Sequence, residues 1–211
     1  MAVTEITATK FQDMIRVAAH RINKNAEFVN SLNVFPVPDG DTGTNMNLTF
    51  QTGAKAVLES NEDAVGALAK RLGKGLLMGA RGNSGVISSQ LFRGFAKSVE
   101  GKKNLSAQDL ADAFVHGVET AYKAVMKPVE GTILTVAREA AKAGLKAANG
   151  SDDALVVMTA VVKGAKRALA KTPDLLAVLK EVGVVDSGGQ GLVFIYEGFR
   201  AVSYTHLTLP T

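Results

Sequence analysis

Asp39 and Asp41 stand two residues apart around Gly40, and Thr42-Gly43-Thr44-Asn45 follows at once. Acidic side chains at i and i+2 of a tight loop converge on one point. A hard divalent cation needs that geometry, since Mg²⁺ takes one or two carboxylates and fills its octahedron with water and phosphate oxygens. Thr-Gly-Thr at a helix start exposes backbone N–H groups, where phosphate binds readily. Pro36 and Pro38 stiffen the approach from Asn33. Metal and phosphate chemistry therefore meet in one loop. The plainer alternative is an Asp-Gly turn in which Asp and Thr only cap the next helix.

Three further glycine-rich segments resemble that loop in kind: Gly79-Ala-Arg81-Gly82-Asn83-Ser84-Gly85, Glu130-Gly131-Thr132 and Asp186-Ser187-Gly188-Gly189-Gln190-Gly191. Each precedes a run with helical periodicity, so each offers a positive helix terminus. Arg81 lies inside the second and could screen phosphate charge, as guanidinium groups do in phosphoryl transfer. Lys74 and Arg71 read as a solvated helix face. Met46 and Met78 flank the proposed site, placed either against a bound ring or in the core. His20, His116 and His206 are far apart in sequence and have no Ser-Asp partnership, so triad chemistry is not expected.

The elements that must position these groups are helical nearly throughout. Phe11, Met14, Ile15, Ala18, Ile22 and Val29 recur at three- and four-residue steps. Similar stripes predict helices over 45–60 and 63–77, one capped by Ser84 with Ile87, Leu91 and Phe95 inward, and one capped by Ser106 with Leu110 and Phe114 inward. Others are expected over 132–148, over 152–171 behind a Ser151 cap, and over 190–202. Thr172-Pro173 should open a short extra helix to about Val182, with proline at its first position. Period-2 alternation is absent, so the fold class is all-α: an up-and-down barrel of about eight antiparallel amphipathic helices. Alternate helix N-termini then share one end, and the four glycine-rich loops gather there.

Composition narrows the rest. The 211 residues make one or at most two domains, and aromatics at 6% with no tryptophan suit packed Ala-, Leu- and Val-rich helices. A net charge of +4 without a long Lys/Arg run predicts no nucleic-acid partner. The absence of cysteine excludes disulfides, thiolate chemistry and Cys-based zinc sites. No apolar run reaches the roughly 18 residues of a membrane span. The N-terminal residues show no leader pattern, which makes the cytoplasm the expected location. Ser203 to Thr211 lack the amphipathic continuation of the last helix, so 1–202 is taken as the domain and 203–211 as a non-native tail.

Asn33 to Asn47, with Gly79 to Gln90, Gly131-Thr132 and Asp186 to Gly191, resembles the nucleotide-binding domain shared by dihydroxyacetone kinase L subunits and bacterial fatty acid kinases. Phe-Pro-Val-Pro-Asp-Gly-Asp-Thr-Gly-Thr-Asn-Met is closer to the fatty acid kinase ATP-binding subunit, and dihydroxyacetone kinases usually carry histidine where Thr42 stands. The resemblance covers essentially Phe11 to Val202. It implies an eight-helix barrel with ATP or ADP and two Mg²⁺ ions at one end, held by Asp39 and Asp41 with Asn33 near them. It implies phosphate contacts at Thr42, Gly43, Thr44, Asn45, Gly82, Asn83 and Ser84. Gly131, Thr132, Leu134, Asp186, Ser187 and Gly188 would line the remaining pocket. The implied activity is phosphorylation of a fatty acid on a carrier protein, giving an acyl phosphate. That carrier would dock on further domains absent from this chain, so these residues alone should not act on fatty acid. The resemblance leaves room for a homodimer of the longer protein. A dihydroxyacetone-type small-molecule kinase domain and a non-catalytic nucleotide-sensing module are the alternatives.

Overall fold

A computed structural model describes residues 2–204, with side chains described to Val202. Nine α-helices make up the described chain: α1 (Ala8–Ser31), α2 (Thr42–Leu58), α3 (Val65–Gly79), α4 (Gly82–Ser98), α5 (Ala107–Ala124), α6 (Ile133–Gly150), α7 (Ala154–Leu175), α8 (Ala177–Val182) and α9 (Ser187–Tyr204). From α1 to α7 each helix packs on the next. The helix α9 packs on both α7 and α1, which closes the ring, while α8 rests on α7. Eight long helices joined by short connections thus form the expected antiparallel barrel.

Apolar stripes at helical spacing fill its interior. Phe11, Phe50, Phe92, Phe95, Phe114, Tyr196 and Phe199 touch ring to ring, with centroids 5.2 to 6.3 Å apart, and tie together α1, α2, α4, α5 and α9. The edge-to-face contacts among them, and the stacked pair Phe11–Phe95, are favourable arrangements for such rings. Wholly buried side chains from Met14 to Met158 extend the same core through the whole barrel.

Helix boundaries differ from the sequence expectation in α2, α4, α7, α8 and α9. The helix α2 begins at Thr42, not Asn45, because Gly43 packs its backbone against α1: a Cβ there would lie 1.9 Å from the Ala26 carbonyl oxygen. The helix α4 begins at Gly82, so Ser84 lies in its first turn and does not cap it. Asp153, not Ser151, caps α7, accepting a bond from the Leu155 amide at 2.9 Å. The same helix continues through Pro173, because the Thr172 hydroxyl donates to the Leu169 carbonyl that proline leaves without an amide partner (2.7 Å). The short helix therefore starts only at Ala177. The helix α9 starts at Ser187 and runs to Tyr204, past the boundary drawn at Val202; residues 205–211, including His206, lie outside the described residues.

Candidate functional site

The loop between α1 and α2 is built around Asn33. Its side-chain nitrogen donates to the carbonyls of Val37 (3.1 Å) and Phe35 (3.5 Å), and its oxygen accepts the amides of Asp41 (3.1 Å) and Thr42 (3.3 Å). One buried amide therefore staples the loop closed and sets Asp41 at the start of α2. Asp41 is the N-cap residue there, yet its side chain makes no capping bond. Its carboxylate faces that of Asp39, whose hydrogen bond and charge raise the Asp41 pKa above the ordinary carboxylate range, while Asn45 opposes the shift. Two facing carboxylates in solvent are the donor set that Mg²⁺ accepts, with water and phosphate oxygens supplying the remainder.

Asn33, Asp39, Asp41, Thr42 and Asn45 line a cavity of about 180 Å³ with Gly82, Asn83 and Ser84 from the next glycine-rich loop. Thr49 joins the two loops: its hydroxyl donates to the Asn45 carbonyl (2.7 Å) and accepts the Arg81 amide (3.1 Å). Gly82 has φ +65°, and a Cβ there would approach the Asn45 side-chain nitrogen to 2.6 Å, so a side chain at this turn is both strained and obstructed. The N-termini of α2 and α4 both open onto this cavity and place positive potential beside the carboxylates.

An adjoining cavity of about 430 Å³ shares Pro36, Thr42, Asn83 and Ser84 with the first and is mostly apolar. Phe35, Ile87, Val125, Val129, Ile133 and Leu134 line it, together with Thr132, Asp186, Ser187 and Gly188. All four glycine-rich loops thus meet at one rim. The third loop is held by Glu130, which accepts from Tyr122 (3.2 Å), Arg138 (2.6 Å) and Thr135. Burial alone would raise the Glu130 pKa, but these bonds outweigh it and hold the carboxylate below its usual range. Burial likewise pushes Tyr122 up to about 12. In the fourth loop, burial pushes Asp186 up to about 6, although it accepts the amides of Gly189 (2.9 Å) and Ile133.

The DAK2 domain family model matches residues 36–201, and so spans the metal-type loop and all four glycine-rich segments. The chain belongs to the DAK2 domain family. An uncharacterized protein of Staphylococcus epidermidis is 58% identical to it over 197 residues, covering 93% of this chain and 36% of that protein. One of Staphylococcus haemolyticus matches to the same extent. The chain therefore spans little more than a third of the length of these curated relatives. Its fold is that of the dihydroxyacetone kinase of C. freundii: the structure of that enzyme in complex with AMP-PNP and Mg²⁺ has a TM-score of 0.65 at 18% identity, covering 90% of this chain and 33% of the other.

This DAK2 domain does not bring every expected residue to the cavities. Gly43 is spent on packing against Ala26. Thr44 is tied to Asn30 of α1, its hydroxyl accepting from that amide and its own amide donating back, each at 2.9 Å. Gly131 supplies a turn with φ +85° and donates to Thr135 at 2.8 Å, with its Cβ direction filled by Leu175 and Leu176. Arg81 is exposed and lines neither cavity. The two lone pairs of the Asn33 oxygen are engaged by the loop amides, so Asn33 positions the carboxylates and leaves no lone pair for a cation. Met46 is core and Met78 is exposed. His20 and His116 lie outside both cavities.

Sequence reading also missed residues. The apolar lining at Phe35, Val86, Ile87, Val125 and Val129 comes from three separate elements. Asn30, Thr49, Thr135 and Thr172 position the loops from within helices. Thr49 and Thr135 lie within two turns of a glycine-rich segment, but Asn30 and Thr172 carry no such sequence signal.

Proposed function

We propose that this DAK2 domain binds ATP and ADP with Mg²⁺ and is the nucleotide-binding part of a phosphotransferase. One observation carries the reading: two adjoining cavities at one rim, a small polar one with paired carboxylates and helix N-termini, and a larger apolar one. A phosphate tail suits the first, and a purine ring the second. Asp39 and Asp41 would hold the metal, which would supply charge neutralisation for the phosphate oxygens. The amides and side chains of Thr42, Asn45, Asn83 and Ser84 bind the anionic tail, and the N-termini of α2 and α4 stabilise charge that develops on it. Ile87, Val125 and Leu134 exclude water from the ring. The C. freundii enzyme, with its AMP-PNP and Mg²⁺, supports this choice of ligand.

The acceptor we propose is the carboxylate of a fatty acid carried by a partner protein, giving an acyl phosphate in the cytoplasm, where ATP is available. The Phe35-to-Met46 motif supports it. So does the rim, where Val37 and Val129 stand exposed in the cavity linings with Met126 exposed beside them, a surface that another protein or domain would cover. Among the described residues, the barrel interior is filled by core side chains. The test incubates this chain, and separately a full-length relative, with ATP, Mg²⁺, fatty acid and its carrier. Acyl phosphate is expected only from the longer protein, because a site lacking its acceptor forgoes the proximity term. Comparable rates from both would overturn the division of labour, and phosphorylation of dihydroxyacetone by either would favour the small-molecule reading.

A further inference from the structure

The outer faces of α3 and α4 carry Lys70, Arg71, Lys74, Arg93 and Lys97, and neither helix contains an Asp or Glu. Arg71 pairs with Glu62 at 3.3 Å. The other four make no ion pair among the described residues. They line the two sides of one trough of about 380 Å³, whose floor is Gly66, Gly73 and Ala96 and whose single acid is Glu100 at the far end. The two helices pack closely enough there that a Cβ on Gly73 would lie 3.6 Å from the Arg93 Cα. Between Gly66 and Leu77 the trough runs roughly 16 Å, about three helical turns. At its other end Leu77 is 56% exposed, and the chain passes from there into the Arg81–Gly82 loop of the nucleotide rim.

A solvated helix face ordinarily mixes both signs of charge. Here four unpaired cations of one sign flank a concave, small-residue floor and lead to an exposed leucine. We propose that this trough docks an acidic amphipathic helix of a partner protein, with carboxylates at three- and four-residue spacing and one apolar residue set against Leu77. A groove between two antiparallel helices receives a third helix by ridge-and-groove packing. A bilayer is a poorer match, because the cations flank a concavity whose one large apolar side chain, Leu77, lies at its end. Nucleic acid is a poorer match too, since no aromatic ring lines the trough for base stacking. The docking surface is separate from the nucleotide cavities, and the proposal stands whether or not nucleotide is bound there.

The test uses the whole chain and an 18-residue helical peptide with Glu at i, i+4 positions along one face and Leu at one end. Controls are a scrambled peptide of the same composition, phosphatidylglycerol vesicles and a 20-nucleotide single strand. Amide shifts in NMR spectra should map the ordered peptide onto α3 and α4. The double variant Lys70→Glu/Lys97→Glu should bind it about tenfold more weakly, and added salt should weaken the wild type in the same direction. All four positions are exposed, so the variant keeps its helical spectrum and its nucleotide affinity. Equal binding of the scrambled peptide, equal binding by the variant, stronger binding of vesicles or oligonucleotide, or no binding at all would each overturn the proposal.

Discussion

The hydroxyl of Thr172, fully buried in the last turns of α7, accepts the backbone amide of Asp186 at 3.1 Å and donates to the Leu169 carbonyl at 2.7 Å. One side chain thus repairs the helix where Pro173 breaks its ladder and also sets the acid of the fourth glycine-rich loop beside the apolar cavity. Thr172→Val keeps the shape but leaves a buried donor and a buried acceptor unmatched, which costs about 1–3 kcal/mol. Urea unfolding should register that loss, and nucleotide titration should show weaker binding, while Thr172→Ser recovers both. An unchanged midpoint in the valine variant would remove this link between helix and site.

Asp186 gives the protein a specific pH response. Its folded pKa of about 6 lies above the 3.8 of the unfolded chain, because burial disfavours the carboxylate. The folded state therefore holds the proton more tightly. This contribution is fully present below about pH 3.8 and is lost as pH rises through 6. Between pH 7 and pH 5 the wild type should gain about 1.4 kcal/mol relative to Asp186→Asn. Paired urea unfolding curves at the two pH values isolate this term, since other groups cancel in the difference. A difference independent of pH would refute the shifted acid.

Asp39→Ala and Asp41→Ala should abolish Mg²⁺-dependent ATP binding and leave the barrel intact. Both side chains are exposed, and Asp41 makes no capping bond whose loss would fray α2. Calorimetry with Mg²⁺ and with EDTA, beside circular dichroism of each variant, checks it. Affinity that survives in both variants would sink the metal assignment.

Gly82→Val should weaken nucleotide binding, because the new side chain meets Asn45 at the rim. Gly150, at the end of α6, has open space and an ordinary φ, so Gly150→Val should leave binding unchanged. Matching losses in the two variants would show that the effect at Gly82 is not local to the rim.

Gly43→Ala separates packing from phosphate binding. A methyl group 1.9 Å from a backbone oxygen forces α1 and α2 apart, and overpacking of this kind costs about 1–3 kcal/mol or more. Thermal unfolding should fall clearly. A variant of unchanged stability that lost nucleotide affinity would return Gly43 to the phosphate site.

What the sequence determined by itself is what local chemistry can encode. Helical periodicity from Phe11 to Val29 and from Leu110 to Phe114 reports burial on one face, which depends only on neighbours three and four residues away. Asp39-Gly40-Asp41 announces converging carboxylates for the same reason, and four glycine-rich segments at alternate connections place them at one rim once the helices run antiparallel. The tertiary structure alone decided which of those residues face the cavities. Gly43 and Thr44 carry the same signature as Thr42, yet contacts to Ala26 and Asn30, over a dozen residues earlier in the chain, draw them onto α1. Asn33 reads as a ligand until the amides of Asp41 and Thr42 are seen to occupy its oxygen. The apolar cavity has no local pattern at all, because Phe35, Ile87, Val125 and Leu134 become neighbours only when the ring of helices closes. Pro173 signals a helix start by its own geometry, and only the buried hydroxyl before it lets the helix continue.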